Sequence, residues 1–189
     1  MKYQLQNSKL GKIANLSTLC PYKCKYCYGQ KAFKQYPSVR DNLAYNSKML
    51  ESQELPDIPM SRDVVRMYST LGDFESIEVV DKWYRLAKRY PEKVIYGYTK
   101  RWQEKSFLPS LNRLRKLGNV ILRASIDSST GNAPKNWIIA GILEEDSIKK
   151  LNGKRAYICK FNKNKIKCDK CRICFRKNLE DIAVFFPAH

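Results

Sequence analysis

The seven cysteines of the chain fall into two short groups, and these are the residues best suited to chemistry. The first group is Cys20, Cys24 and Cys27, and the second is Cys159, Cys168, Cys171 and Cys174. Residues 1–9 contain no apolar stretch typical of a secretory signal, so we expect a cytoplasmic location. Thiols in reducing compartments more often bind metals than form disulfides. The cysteines therefore predict two metal sites.

The number of cysteines in the first group indicates which metal site it forms. A [4Fe-4S] cube held by three cysteines keeps one iron open for a small molecule, whereas a fourth cysteine would close it. Zinc sites favour pairs of cysteines that total four ligands, so the spacing Cys20-x3-Cys24-x2-Cys27 suits zinc poorly. We expect an iron-sulfur cluster with an open iron, and a zinc or purely structural loop is the alternative.

The four cysteines of the second group make a closed site. Cys168, Cys171 and Cys174 repeat the spacing of ferredoxin-type ligand runs, and Cys159 adds a fourth thiolate. This pattern predicts a second [4Fe-4S] cluster. Four cysteines satisfy tetrahedral zinc equally well, so a structural zinc ion is the alternative.

The chain is strongly basic, with 36 Lys and Arg against 18 Asp and Glu and a net charge of +18. Residues 149–178 hold twelve of these cations and one acid, and they also carry the second cysteine group. Such a segment attracts a polyanion, which favours a nucleic acid or nucleotide substrate. The residues expected to contact it are Lys100, Arg101, Lys163, Lys165 and Lys167. A solubilising surface is the alternative.

Composition excludes two further classes of protein. The 12% aromatic content does not fit a disordered chain. The longest apolar stretch, at 137–143, is far shorter than the roughly 20 residues of a membrane-spanning helix. We therefore expect a folded chain with no membrane partner, and we interpret the single histidine, His189, as a solvated terminal side chain.

Apolar periodicity between the cysteine groups predicts a parallel α/β fold. Strands are expected at 12–19, 63–70, 94–99, 120–127, 136–143 and 181–186, and helices at 39–53, 77–90 and 107–117. Strands and helices in alternation are typical of βαβ units on a parallel sheet. We expect residues 1–148 to form this core and residues 149–189 to add a basic, cysteine-rich extension with a final strand, in one compact unit.

Polar residues follow the predicted strands at the end where sites of parallel α/β folds form. The residues at these strand ends are Cys20, Gly72, Asp73, Lys100, Arg101, Ser125 and Asp127. Alternation along the fourth strand places Arg123 on the same face as Ser125 and Asp127. Two of the acids have a simpler alternative role, since Asp73 suits the N-cap of the next helix and Asp127 suits the turn that follows it.

The first cysteine loop resembles the radical S-adenosylmethionine (SAM) enzymes. Their signature, Cys-x3-Cys-x-aromatic-Cys after a first strand, is matched by Cys20, Cys24 and Cys27, with Tyr26 at the aromatic position. The resemblance implies that the open iron chelates SAM and that its reductive cleavage releases a 5′-deoxyadenosyl radical. It also implies that the turn at Gly72 and Asp73, in place of the usual Gly-Gly-Glu, contacts the SAM ammonium. We expect further SAM contacts from Arg123, Ser125 and Asp127.

More closely, the chain is similar to a small phage-encoded family, the gene-product-88-like proteins. The similar parts are the cysteine loop, residues 66–74, 96–100 and 125–127, the cysteine-rich tail and residues 186–189. Together with the resemblance to radical SAM enzymes, the predicted strands imply a partial (β/α) barrel of about six mostly parallel strands with a cysteine-rich extension. The tail cysteines resemble the auxiliary clusters that several radical SAM enzymes carry in C-terminal extensions.

These observations predict a radical SAM enzyme that modifies a nucleic acid or nucleotide, as in phage DNA modification. The resemblance implies an electron donor such as flavodoxin or ferredoxin, and we expect a monomer in the host cytoplasm. Two alternatives are a radical SAM enzyme that modifies peptides and a non-catalytic iron-sulfur or zinc protein that binds nucleic acid. The open iron implied by three cysteines distinguishes an enzyme from a regulator, which has no use for it.

Overall fold

The computed structural model describes residues 1–5, 7–151, 153–179 and 181–187. The single histidine, His189, and the end of the 186–189 segment lie outside the described residues.

Within this part of the chain, seven strands form one open sheet in which every neighbouring pair is parallel. The strands are β1 (Ala14–Leu16), β2 (Val64–Met67), β3 (Val94–Thr99), β4 (Val120–Ile126), β5 (Ile138–Ile142), β6 (Arg155–Ile158) and β7 (Ile182–Phe186). Their order across the sheet is β1-β2-β3-β4-β5-β7-β6, so β1 and β6 are the two edges. The predicted α/β class is confirmed, with one strand more than expected.

Seven α-helices and two short 3-10 helices connect the described strands. The α-helices are α1 (Tyr28–Gln35), α2 (Pro37–Ser52), α3 (Ile77–Arg89), α4 (Leu108–Arg115), α5 (Glu145–Lys149), α6 (Phe161–Asn164) and α7 (Cys168–Cys171). The 3-10 helices span Arg101–Gln103 and Ile173–Phe175. The sequence did not predict α1, which is only eight residues long, or β6, whose residues are mostly exposed and lack a clear apolar alternation. It also did not predict α5, α6, α7 or the two 3-10 helices, each of five residues or fewer.

Local sequence explains where the helices begin. Ser76 caps α3, because its side chain accepts a hydrogen bond from the Val79 N–H at 3.3 Å. Pro37 and Pro109 stand in the first turns of α2 and α4, where no intrahelical N–H is needed. The alternative role of Asp73 as the N-cap of α3 is therefore wrong, since Ser76 holds that position.

Alternation along β4 separates two apolar clusters. Leu122, Ala124 and Ile126 pack with helix residues such as Trp83 and Leu111 in the larger cluster. Ile121, on the other face of the strand, belongs to a smaller cluster whose other members are Leu10, Ile13, Tyr96 and Phe175. The second face of the sheet is therefore covered by the amino-terminal segment and by the cysteine-rich tail.

The tail is tied to the sheet by one buried arginine. Arg123 is fully buried, and its guanidinium donates to the carbonyl oxygens of Cys174, Ile139, Ile182 and Ile173 at 3.1, 3.2, 2.9 and 3.3 Å. Burial lowers the pKa of Arg123, and these carbonyls accept four of its five N–H donors. Cys174 and Ile173 lie in the cysteine-rich segment, whereas Ile139 and Ile182 belong to strands β5 and β7, so the side chain joins that segment to the sheet.

Across the described residues, none of the helices is both long and apolar enough to cross a membrane.

Candidate metal and cofactor site

The first cysteine loop lies at the carboxyl edge of the sheet, directly after β1. Cys20, Cys24 and Cys27 together line two adjoining hollows. The outer hollow, about 690 Å³, is rimmed by cations that include Lys23, Lys25, Lys31 and Lys34. The inner hollow, about 180 Å³, lies between the loop and the ends of β2, β3 and β4. The structure therefore places all three predicted ligands around the same space.

A close contact of backbones holds the loop against the sheet. The Cys27 N–H donates to the Cys24 carbonyl at 3.1 Å, which closes a turn just before α1 begins. At Gly29, in the first turn of α1, an added Cβ would lie 2.1 Å from the Thr70 carbonyl oxygen. Only glycine lets α1 approach the chain after β2 so closely, and this approach brings the cysteine loop to the β2 end.

Gly72 occupies the turn after β2 with a φ of +125°, a conformation that other residues rarely adopt. An added Cβ there would lie 2.6 Å from the Tyr68 ring and 2.9 Å from the Thr18 hydroxyl. Burial raises the pKa of the Cys20 thiol to about 11, while N–H groups of Tyr22 and Gly72 hydrogen-bond the sulfur and act in the opposite direction. The turn therefore supplies the Gly72 N–H as a hydrogen-bond donor to Cys20, a predicted cluster ligand.

Asp73 uses its carboxylate to hold the ends of β2 and β3 together. It is 4% exposed and accepts from the Thr99 hydroxyl at 2.6 Å and from the N–H groups of Lys100 and Phe74 at 2.8 Å. Burial raises the pKa of Asp73 to about 6, although these hydrogen bonds lower it. Its oxygens already have three donors, so a contact with the SAM ammonium would compete with these bonds.

Lys100 joins the cysteine loop to the ends of β3 and β4. Its ammonium forms a buried ion pair with Asp127 and lies 3.3 Å from the Cys24 sulfur. The Tyr26 hydroxyl donates to the same Asp127 carboxylate at 2.5 Å. Burial raises the pKa of Asp127, but hydrogen bonds from Lys100, Ser129 and Tyr26 outweigh it and bring the value to about 2. Lys100 therefore interacts with residues of the site itself.

Arg101, the second cation predicted to contact substrate, also has internal partners. Its guanidinium donates to both carboxylate oxygens of Glu104 at 2.6 and 2.7 Å and to the Phe74 carbonyl at 2.7 Å. The Tyr22 hydroxyl, from the cysteine loop, donates to Glu104 at 2.7 Å. This network holds the loop from its other side.

The three residues predicted on the polar face of β4 do not stay together. Ser125 lines the inner hollow. Asp127 is hydrogen-bonded to Lys100 and Tyr26, which also line this hollow. Arg123 points instead to the tail carbonyls described above. A SAM contact by Arg123 stays a prediction, and its hydrogen bonds give the side chain a structural role.

The second cysteine group also converges. Its four members line one narrow cavity of about 20 Å³, together with Lys9, Arg66, Tyr98 and Phe186. The Tyr98 hydroxyl hydrogen-bonds the Cys174 sulfur, and the Tyr157 hydroxyl lies 3.5 Å from the Cys171 sulfur. Burial raises the pKa of Cys168 to about 11, while the charge of Arg66 lowers it.

A shared wall separates the two cysteine groups. Arg66, Tyr98 and Phe186 line both the inner hollow and the tail cavity. The Tyr98 ring lies 5.2 Å from the Arg66 guanidinium and 5.5 Å from the Phe186 ring. Sequence reasoning missed the site roles of Arg66 and Tyr98, although alternation along β2 and β3 places both on the face opposite the helices.

Metal binding by the two cysteine groups and substrate binding by the tail lysines stay predictions. Among the described residues, no group of three or more His, Cys, Asp or Glu side chains is placed so that it could hold a metal ion. Lys163, Lys165 and Lys167 are exposed around the end of α6. They lie beside the tail cavity, which Phe161 and Ile166 help to line.

The chain belongs to the Gene product 88 family, whose sequence model matches residues 6–177. No curated protein and no solved structure matches it. The similarity to gene-product-88-like proteins is therefore confirmed.

Proposed function

We propose that the chain is a radical SAM enzyme in which Cys20, Cys24 and Cys27 hold a [4Fe-4S] cluster. The observation that carries this proposal is the position of these cysteines. They follow the first strand of an open parallel sheet, at its carboxyl edge, and line one hollow with the ends of the next three strands. Functional sites of parallel α/β folds form at this edge.

The donor set fits a cluster with one open iron. Three thiols of one loop face a common space, and the described residues that line either hollow include no fourth cysteine. Bound thiolates need compensation for their negative charge, which the N–H groups at Cys20 and the Lys100 ammonium near Cys24 provide. A reduced cluster with bound SAM would supply one-electron cleavage of the sulfonium and an organic radical.

The chain's own residues position and enclose this chemistry. Gly72 brings backbone polar groups into the inner hollow, where Ser125 and Tyr26 also lie, and we assign SAM contacts to these three residues. Asp73 and Asp127 act as positioning residues, because their carboxylates hold the β2 to β3 turn and Lys100. The wall of Arg66, Tyr98 and Phe186 closes the hollow toward the tail.

For the tail cysteines we propose an auxiliary [4Fe-4S] cluster. All four line one cavity, and aromatic rings with cations surround them. Cationic and hydrogen-bonding neighbours stabilise the anionic charge of a thiolate-bound cluster. A zinc ion fits the same four ligands and is distinguished by metal analysis.

The proposed substrate is a nucleic acid or nucleotide, with Lys163, Lys165 and Lys167 as contacts. They are exposed, and no ion pair involves them in the part of the chain that the structure describes, so their charge is available to a polyanion. Lys100 and Arg101 are assigned to the cysteine site instead, because both have internal partners. A flavodoxin or ferredoxin is the proposed electron donor.

The test of the chemistry is anaerobic reconstitution, metal analysis and incubation with SAM and dithionite. We expect about eight irons per chain and release of 5′-deoxyadenosine or a substrate adduct. About four irons with one zinc would keep the first site and replace the second. Cys24→Ala should abolish SAM cleavage, whereas Lys23→Ala, an exposed control on the same loop, should retain it. Cleavage by Cys24→Ala at the native rate would refute the proposal.

The test of the substrate class is a salt titration of labelled DNA and RNA. We expect binding with a log-log salt slope of about four or more, lost when Lys163, Lys165 and Lys167 are all changed to Glu. No binding of any strand at about 50 mM salt would exclude nucleic acid and direct the search to peptides and free metabolites.

A further inference from the structure

A further hollow lies where the strands begin, at the end of the sheet opposite the cysteine loop. Its lining includes Val120 and Ile138, which begin β4 and β5, and the end of α4 from Arg115 onward. In a parallel sheet, all strands begin at the same end of the sheet and finish at the opposite end. This basal cleft, about 450 Å³, is therefore far from the proposed SAM site and independent of it.

The basal cleft collects positive charge from several separate segments. Arg115 and Lys116 come from the end of α4, and Lys135, Lys154 and Lys177 come from three other parts of the chain. Among the described residues that line the cleft, none is Asp or Glu. Like charges that converge on one hollow repel each other, and a hollow lined by one sign of charge concentrates counterions.

The helix end explains only part of this charge. Cations are favourable near a helix C-terminus, which accounts for Arg115 and Lys116. Arg115 is also occupied, since it donates to the Asn136 carbonyl at 2.9 Å and stacks on Trp137 at 4.9 Å. Lys135 and Lys177 belong to no helix. The helix end therefore does not account for their position in the cleft.

Three of the lysines keep their charge available. Lys116, Lys135 and Lys177 are exposed, and the structure pairs none of them with an acid in its described ranges. The Lys177 ammonium stands over the backbone of Gly118, 3.8 Å from where a Cβ would be, so it faces the cleft across a glycine. Val120, Leu122 and Ile138 give the cleft apolar lining.

We infer that the basal cleft binds phosphate groups, and that Lys116, Lys135 and Lys177 hold them. Its volume of about 450 Å³ is within the range of small-molecule sites, roughly 300–1,000 Å³. Multiple ammonium donors without carboxylates recognise phosphate by charge and hydrogen bonding. The phosphates belong either to a nucleic acid strand or to a free polyphosphate, which the experiment separates.

The test uses the full chain and two probes, a labelled single-stranded oligonucleotide and inorganic triphosphate. The cleft variant changes Lys116, Lys135 and Lys177 to Gln, and the control changes Lys48, Lys88 and Lys105, exposed lysines outside the cleft. Both variants lose the same charge. We expect the cleft variant to bind the oligonucleotide about tenfold more weakly and to lose about two from the log-log salt slope. The control should change affinity by no more than about twofold.

Lysine acetylation of the wild-type protein gives a readout that needs no variant. Bound oligonucleotide or triphosphate should protect Lys116, Lys135 and Lys177 in mass spectra but leave Lys48 and Lys88 reactive. Protection by both probes identifies phosphate in general, and protection by the oligonucleotide alone identifies a nucleic acid strand. Equal loss of affinity in both variants would overturn the inference. Protection confined to Lys163, Lys165 and Lys167 would also overturn it, while supporting the tail as the nucleic-acid contact.

Discussion

Replacing Arg123 with Met should detach the cysteine-rich tail from the sheet. The side chain is fully buried and donates to four carbonyl oxygens, of which Cys174 O and Ile173 O lie in the tail. Methionine fills a similar volume without any donor, so the four carbonyls lose their bonds in a space that water does not reach.

The size of the effect follows from these contacts. Three of the four bonds are 3.1 Å or longer, so we count about 1 kcal/mol for each, or about 4 kcal/mol in all. The variant no longer buries a guanidinium, and the recovered hydration offsets part of this loss. We expect the free energy of unfolding to fall by about 3 kcal/mol.

Urea unfolding measures this change, and pulsed iodoacetamide labelling of Cys174 reports on the tail itself. Labelling of Cys174 should accelerate in Arg123→Met under native conditions. Arg113→Met is the matched control, because Arg113 is exposed and pairs with Asp81 at the surface, where such pairs contribute about 0–1 kcal/mol. Native stability with native protection of Cys174 in Arg123→Met would show that the tail is held by other contacts.

Three further changes test the framework of the site. Ser76→Ala should lower the free energy of unfolding by about 1 kcal/mol through loss of the α3 cap, and the exposed Ser106→Ala should not. Gly72→Ala should cost about 2 kcal/mol or more, because φ is +125° and the Cβ meets the Tyr68 ring at 2.6 Å, whereas Gly131→Ala meets nothing within 4 Å. Asp73→Asn should remove a dependence of stability on pH that wild type shows between about pH 4 and 6.

The sign of this pH dependence follows from burial. The folded pKa of Asp73 is about 6 against an ordinary 3.8, so the folded state binds more protons within that window. Stability therefore falls as pH rises from about 4 to 6, by about 3 kcal/mol at most. Asp127, whose pKa is lowered to about 2, has the opposite effect on stability and acts at lower pH. Its contribution to stability is lost as pH falls from about 4 to 2. If stability depends on pH identically in wild type and Asp73→Asn, the pH dependence does not come from Asp73. If Ser76→Ala is as stable as Ser106→Ala, or Gly72→Ala as stable as Gly131→Ala, the role assigned to Ser76 or Gly72 is wrong.

The sequence predicted the sheet well because apolar periodicity depends on local contacts. Strand β3 was predicted with its observed bounds, Val94–Thr99, since six consecutive residues alternate or are apolar and Pro91 precedes them. Strand β6 was missed because it lies at an edge, where few side chains are buried and the apolar pattern weakens. Helix α1 was missed because it interrupts what looks like a loop rich in lysine and aromatic residues.

The candidate site was predictable in its residues and less so in their roles. Cysteine spacing predicted the candidate ligands, and the strand ends predicted that Lys100 and Asp127 lie at the site, because both signals are local. What each side chain contacts depends on distant segments that no local pattern records. Lys100 pairs within the site rather than remaining available to substrate, and Arg123 turns to a tail that lies about 50 residues further along the chain.

The tail also determines the direction from which a substrate can approach the proposed site. Phe175 packs with Tyr96 and Ile121 on the face of the sheet opposite the helices, and Arg123 anchors the neighbouring carbonyls. The tail therefore covers this face of the sheet. The outer hollow, rimmed by four lysines, is the wide opening that reaches the three cysteines. A large, negatively charged substrate is consistent with that opening, because the covered sheet face gives it no other approach and the lysines of the rim attract it.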